Sequence, residues 1–187
     1  MRRWYLVVIV MAFAQNLPAQ GTVVRPEPVL DAGRATLRDA LLQFRDSLSS
    51  IDAAASRLQR DYRQASPASL LSRARVMREA CARSVRGVPA TRKAVLAAAA
   101  PGELQRRRRG EMVGALDQLQ KALALCESDF ATMSRPGEGE RVRGYGNDRA
   151  GRVQAALRRY EQVVATFFSA MKIKVSPLGV QPRPLAG

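Results

Sequence analysis

Histidine is absent from this chain of 187 residues. That absence excludes Ser-His-Asp and Cys-His nucleophile machinery. It also excludes His-ligated zinc and the Cys-x-x-Cys-His attachment of a c-type haem. Carboxylates are scarce: 16 Asp+Glu stand against 31 Lys+Arg. None of them falls on the apolar stripes described below, so the inward-facing Glu set of a di-metal bundle is missing. Glu138 and Glu140 are the closest carboxylate pair outside a predicted helix. They sit among glycines without the oxygen spacing of a hand-type calcium loop. No Gly-Lys-Ser/Thr follows those glycines, so they do not form a phosphate loop either. The residues therefore point to a protein that is not an enzyme and carries no cofactor.

Aromatics are also few, at 5%, although 47% of the residues are hydrophobic. Ala and Leu fill most of that apolar share, which favours helices over sheets. Long apolar runs are missing beyond the N-terminus, where Trp4 to Ala14 is uncharged. That run follows Met1-Arg2-Arg3 and precedes Pro18-Ala19. Basic start, apolar middle and small residues at a cut site are the three parts of a secretory signal. At eleven residues, the run is short of the about 20 that a membrane span needs. A cleaved signal over 1–19 is the better reading, with an uncleaved anchor as the alternative. The mature chain is then expected in the periplasm or secreted.

Only two cysteines are present, Cys81 and Cys126. Pro101-Gly102 lies between them, 20 residues after the first and 24 before the second. Two helical arms rising about 1.5 Å per residue from that bend bring both cysteines to nearly one height. In an oxidising compartment such a pair forms a disulfide, unless both stay as buried thiols packed like small hydrophobes.

The apolar positions give the rest of the architecture. Leu37, Leu41, Phe44, Leu48, Ile51, Ala55, Leu58 and Tyr62 repeat at 4-3-4-3-4-3-4. That heptad seam predicts a helix over about 31–65, capped by Asp31. Ser66-Pro67 opens a second helix with Leu70, Ala74, Met77 and Cys81 inward, then Val85 or Val88. Pro89 should kink or break it before Thr91–Ala100 resumes. A third helix, from Glu103 to about Met133, has the seam Met112, Leu116, Leu119, Leu123, Cys126, Phe130 and Met133. Ser134–Asn147, with four glycines and a proline, reads as a mobile loop. Asn147 or Asp148 then caps a fourth helix with Val153, Leu157, Tyr160, Val164, Phe167 and Met171 inward. Methionines on these stripes are core fillers rather than haem ligands. The expected fold is all-α: a four-helix bundle over 31–175 with one disulfide-linked antiparallel hairpin. An extended leader over 20–30 and a Pro-rich tail over 176–187 should flank it as flexible termini.

Charge placement is the remaining functional signal. Net charge is +15, and residues 66–110 hold eleven basic and two acidic residues. The densest run is Arg106-Arg107-Arg108-Arg109, at the start of the third helix. Free N–H groups and arginine forks there face one ligand, so these four are candidate anion-binding residues, with Arg92 and Lys93 extending the patch. A solvated helix start is the competing reading. Export and the lack of basic–aromatic interleaving count against nucleic acid. A non-catalytic binding or scaffolding protein is expected, contacting lipid headgroups, lipopolysaccharide phosphates or an acidic protein face. Peripheral membrane contact is part of that reading. The alternative is a periplasmic holdase-like chaperone, which needs an exposed apolar concavity.

Overall fold

A computed structural model describes residues 31–60 and 62–173. The signal, leader and tail expected over 1–19, 20–30 and 176–187 lie outside the described residues. Four helices follow in order: α1 Ala32–Gln59, α2 Pro67–Ala97, α3 Glu103–Met133 and α4 Gly139–Ala170. Neighbours in sequence pack against one another, and α4 closes the ring on α1. Across the ring, α2 and α4 touch while α1 and α3 do not. Cross-links fix the directions. Ser84 of α2 bonds Ser47 of α1, Arg92 of α2 pairs with Asp117 of α3, and Arg149 of α4 pairs with Asp129 of α3. Each helix therefore runs antiparallel to the next, as in an up-down-up-down bundle.

The heptad seams become the core. Leu37, Leu41, Phe44, Leu48, Ile51, Ala55 and Leu58 are all buried, as is every expected seam residue of α3. Each fully buried Leu, Ile or Phe contributes about 1.5–3 kcal/mol. These stripes, more than any single polar contact, hold the bundle together. Asp31 caps α1 by accepting from the Arg34 amide at 2.8 Å, and Ser66 does the same for α2. Cys81 and Cys126 form a disulfide with their Cα atoms 6.1 Å apart. It closes a loop with a sequence separation of 45, which the chain-entropy model values at about 4 kcal/mol.

Four expectations need correction. First, α1 stops at Gln59 rather than near 65. The chain turns there, and Tyr62 packs partly buried from the connecting segment instead of from the helix. Second, Pro89 does not break α2, which runs unbroken from Pro67 to Ala97. Pro89 stands on the solvent face, where its missing N–H leaves no buried gap. Third, of the two residues expected inward after Cys81, Val88 is buried and Val85 only partly so, and Ser84 takes the seam position before Val88. With Ser84 and Thr91 included, the α2 seam reads Leu70, Ala74, Met77, Cys81, Ser84, Val88, Thr91 and Val95 without a slip. Both hydroxyls are satisfied, Ser84 by the Ser47 carbonyl of α1 and Thr91 by the Gly87 carbonyl one turn back.

The fourth correction is the largest. Residues 134–147 are not a mobile loop: the turn is confined to 134–138, and α4 begins at Gly139. No side chain of Asn147 or Asp148 caps it; Glu138 holds the cap position, without a side-chain hydrogen bond. Gly137 takes φ +87° in the turn, a conformation that favours glycine. A Cβ on Gly139 would lie 2.6 Å from Pro67 Cβ, so only glycine lets the starts of α2 and α4 touch. At the other end of the helix, Phe168 joins the core and Val164 is only partly buried.

Candidate functional site

The up-down-up-down course sends the chain to two ends. One end holds the α2–α3 bend, the start of α1 and the finish of α4. The other holds the 60–66 connection and the 134–138 turn. The arginine run belongs to the first. Arg106 Nη1 donates to the Pro101 carbonyl at 2.8 Å, and Arg109 Nη1 donates to the Ala98 carbonyl at 3.0 Å. Arg107 and Arg108 converge on the Glu111 carboxylate at 3.1 and 2.6 Å. The Arg108 hydrogen bond, with that of Arg107 behind it, holds the Glu111 carboxyl below its usual range.

These bonds change the electrostatic argument. Arginines in the first turns of α3 oppose that helix's own dipole. The antiparallel hairpin, however, sets them beside the C-terminal end of α2, where cations are favoured. The last turn of α2 has no basic residue of its own. Arg109 supplies that charge from the neighbouring helix by donating to Ala98, the α2 C-cap residue, while Arg106 donates to Pro101 within the bend. Two of the four candidate anion-binding residues thus hold the bend together. Arg107, with its side chain 75% exposed, keeps most of its donors free.

Arg92 pairs with Asp117 across the hairpin at 3.2 Å. Lys93 is exposed and has no ion pair among the described residues. It ends a longer row. Arg75, Arg78, Arg83 and Arg86 are all exposed on α2, and none forms an ion pair among the described residues. The row from Arg75 to Lys93 spans about 27 Å at 1.5 Å per residue. Glu79 is the one carboxylate interleaved with it. Elsewhere Arg34, Arg38, Arg141, Arg143, Arg149 and Arg152 all pair with carboxylates. Arg45, Arg57, Lys121, Arg158 and Arg159 on the other helices also lack ion pairs among the described residues, but α2 carries the longest unpaired row, and that row runs toward the hairpin end.

That end is also apolar. Leu96 is 50% exposed and Leu104 is 57% exposed, one on each side of the bend. Ala97, Ala99 and Pro101 are exposed between them. The sequence reading placed positive charge on α2 without nominating Arg75, Arg78, Arg83 and Arg86, and it missed these two leucines. The signal for the row was available. Once Ser84 and Thr91 count as seam positions, the arginines fall on the outward positions of the same heptad.

Among the described residues, no three His, Cys, Asp or Glu side chains gather as metal ligands do, and no helix is long and apolar enough to cross a membrane. Comparison of the chain with protein-family models, curated proteins and solved structures finds no match in any of the three.

Proposed function

We propose that this chain is a non-catalytic, extracytoplasmic binding or scaffolding protein that contacts an anionic envelope surface through its hairpin end and the basic face of α2. The carrying observation is a row of unpaired cations along α2 that leads to exposed leucines at the hairpin end. An anionic bilayer matches both features. Its headgroups answer the arginines, and its interface accepts Leu96 and Leu104. Lipopolysaccharide phosphates offer the same charge chemistry, and an acidic protein face is the non-lipid counterpart. Periplasmic or secreted placement fits the N-terminal sequence and the disulfide.

Vesicle flotation tests this reading. The oxidised protein should float with phosphatidylglycerol-containing vesicles at low salt and stay behind with phosphatidylcholine alone. Raising the salt should release it, since polyanion contacts are screened. Replacing Arg75, Arg78, Arg83 and Arg86 with Gln should abolish flotation while leaving the helical circular dichroism unchanged. Unchanged flotation of that variant would sink the proposal. Salt-insensitive suppression of client aggregation, centred on Leu96 and Leu104, would favour the holdase-like alternative instead.

A further inference from the structure

A second surface lies on the α3/α4 face, away from the hairpin end. A groove of about 500 Å³ runs between these helices, within the range of small-molecule sites. Its cause is side-chain size. Ala115 and Ala122 on α3 face Ala155 and Ala156 on α4, so the space beside the seam is unfilled. Leu119 and Tyr160, both seam residues, line its depth. Tyr160 is only 3% exposed, and its hydroxyl has no hydrogen-bond partner. A buried phenol normally finds an acceptor, so this one stands as an unused donor. Burial pushes its pKa well above the ordinary phenol value, which keeps the proton on oxygen at neutral pH.

The rims are cationic. Lys121, Arg152 and Arg159 line the groove. Arg152 pairs with Asp148 at 2.8 Å, whereas Lys121 and Arg159 have no ion pair among the described residues. The Arg149–Asp129 pair sets the register of α3 against α4. Counting from it, Arg159 and Lys121 come within about 3 Å of one level on opposite rims. Beyond that level, toward Ala115 and Val163, the lining carries no charge.

We propose that this groove binds a small anionic amphiphile. Its carboxylate or phosphate head sits between Lys121 and Arg159; its single apolar chain lies along Ala115, Leu119, Ala156 and Val163. A free inorganic anion would leave the apolar length empty, and a neutral chain would leave both cations unanswered. The proposal is independent of the contact assigned to the hairpin end, because no residue is shared.

Calorimetric titration of the oxidised full chain with dodecanoate and dodecyl phosphate, below their micelle concentrations, tests it. One molecule of either should bind per chain, and the stronger of the two identifies the head. Ala122→Leu with Ala156→Leu fills the groove without altering charge and should abolish binding. Lys121→Gln with Arg159→Gln, both at exposed positions, should weaken it by about tenfold or more. Undiminished binding by the filled variant, equal affinity for 1-dodecanol, or only many weak sites per chain would overturn the proposal.

Discussion

The two ends of the bundle use arginine for different purposes. At the crossing end, Arg143 of α4 donates to the carbonyls of Tyr62, Arg63 and Ala65 and also pairs with Glu140. Arg73 of α2 reaches the carbonyls of Arg57 and Arg60. These bonds tie the α1–α2 connection to α2 and α4, and those from Arg143 bridge about 80 residues of sequence. At the hairpin end the bonds of Arg106, Arg107, Arg108 and Arg109 all close within 11 residues. Non-local bonds fix how elements assemble, whereas local ones only finish a turn that Pro101-Gly102 already makes. The first end is therefore built for stability. The second keeps exposed leucines and spare donors, which a partner would use.

The disulfide lies between the two ends, so its removal is the strongest way to break the comparison. Replacing Cys81 and Cys126 with Ala should lower stability by about 4 kcal/mol, read from urea unfolding of native and variant protein. A single transition is expected. Separate transitions for the two ends would show that the cystine is what makes them one unit.

Arg143 offers a sharper test. Arg143→Gln leaves three carbonyls without their charged donor and should cost about 3 kcal/mol by urea unfolding. Arg143→Lys should recover only part of that, because an ammonium lacks the planar fork. A loss below about 0.5 kcal/mol, the ordinary range for surface changes, would mean the crossing end is not braced as described.

The smallest effect on stability is expected at the opposite end. Leu96→Ser with Leu104→Ser should change unfolding by no more than about 0.5 kcal/mol, because both side chains already face water. Flotation with anionic vesicles should nevertheless fall. If stability dropped as it does for Arg143→Gln, the leucines would belong to the fold and the contrast between ends would fail.

The sequence carried the architecture well where apolar side chains filled every seam position. α1 and α3 were legible for that reason, and so was the bend that sets Cys81 against Cys126. Two kinds of residue concealed the rest. Ser84 and Thr91 stand at inward positions of α2 but bond backbone carbonyls, so a hydrophobic pattern passes over them. Gly139 starts α4 because Pro67 of α2 needs its room. Glycine's weak helix propensity pointed the other way. The candidate site was half visible. Arg106–Arg109 are conspicuous in a string of letters, but the helix end they would cap lies on a different helix. Dipole arguments made one helix at a time miss such a pairing, and only the antiparallel neighbour reveals it.

The cystine has a mechanical consequence as well as a thermodynamic one. Suppose the chain is pulled from Asp31 and Met171. Tension passes along α1 and into α2 as far as Cys81, crosses the sulfur bridge to Cys126, and leaves through α4. Residues 82–125 are off that path and bear no load, and they include Leu96, Leu104 and all four arginines of the bend. Reduction would put this segment back in line and release about 150 Å of hidden contour length. The hairpin end of the surface proposed to hold a partner is thus a mechanically sheltered loop, insulated from strain applied through the ends of the bundle, whereas Arg75 and Arg78 stay on the loaded path.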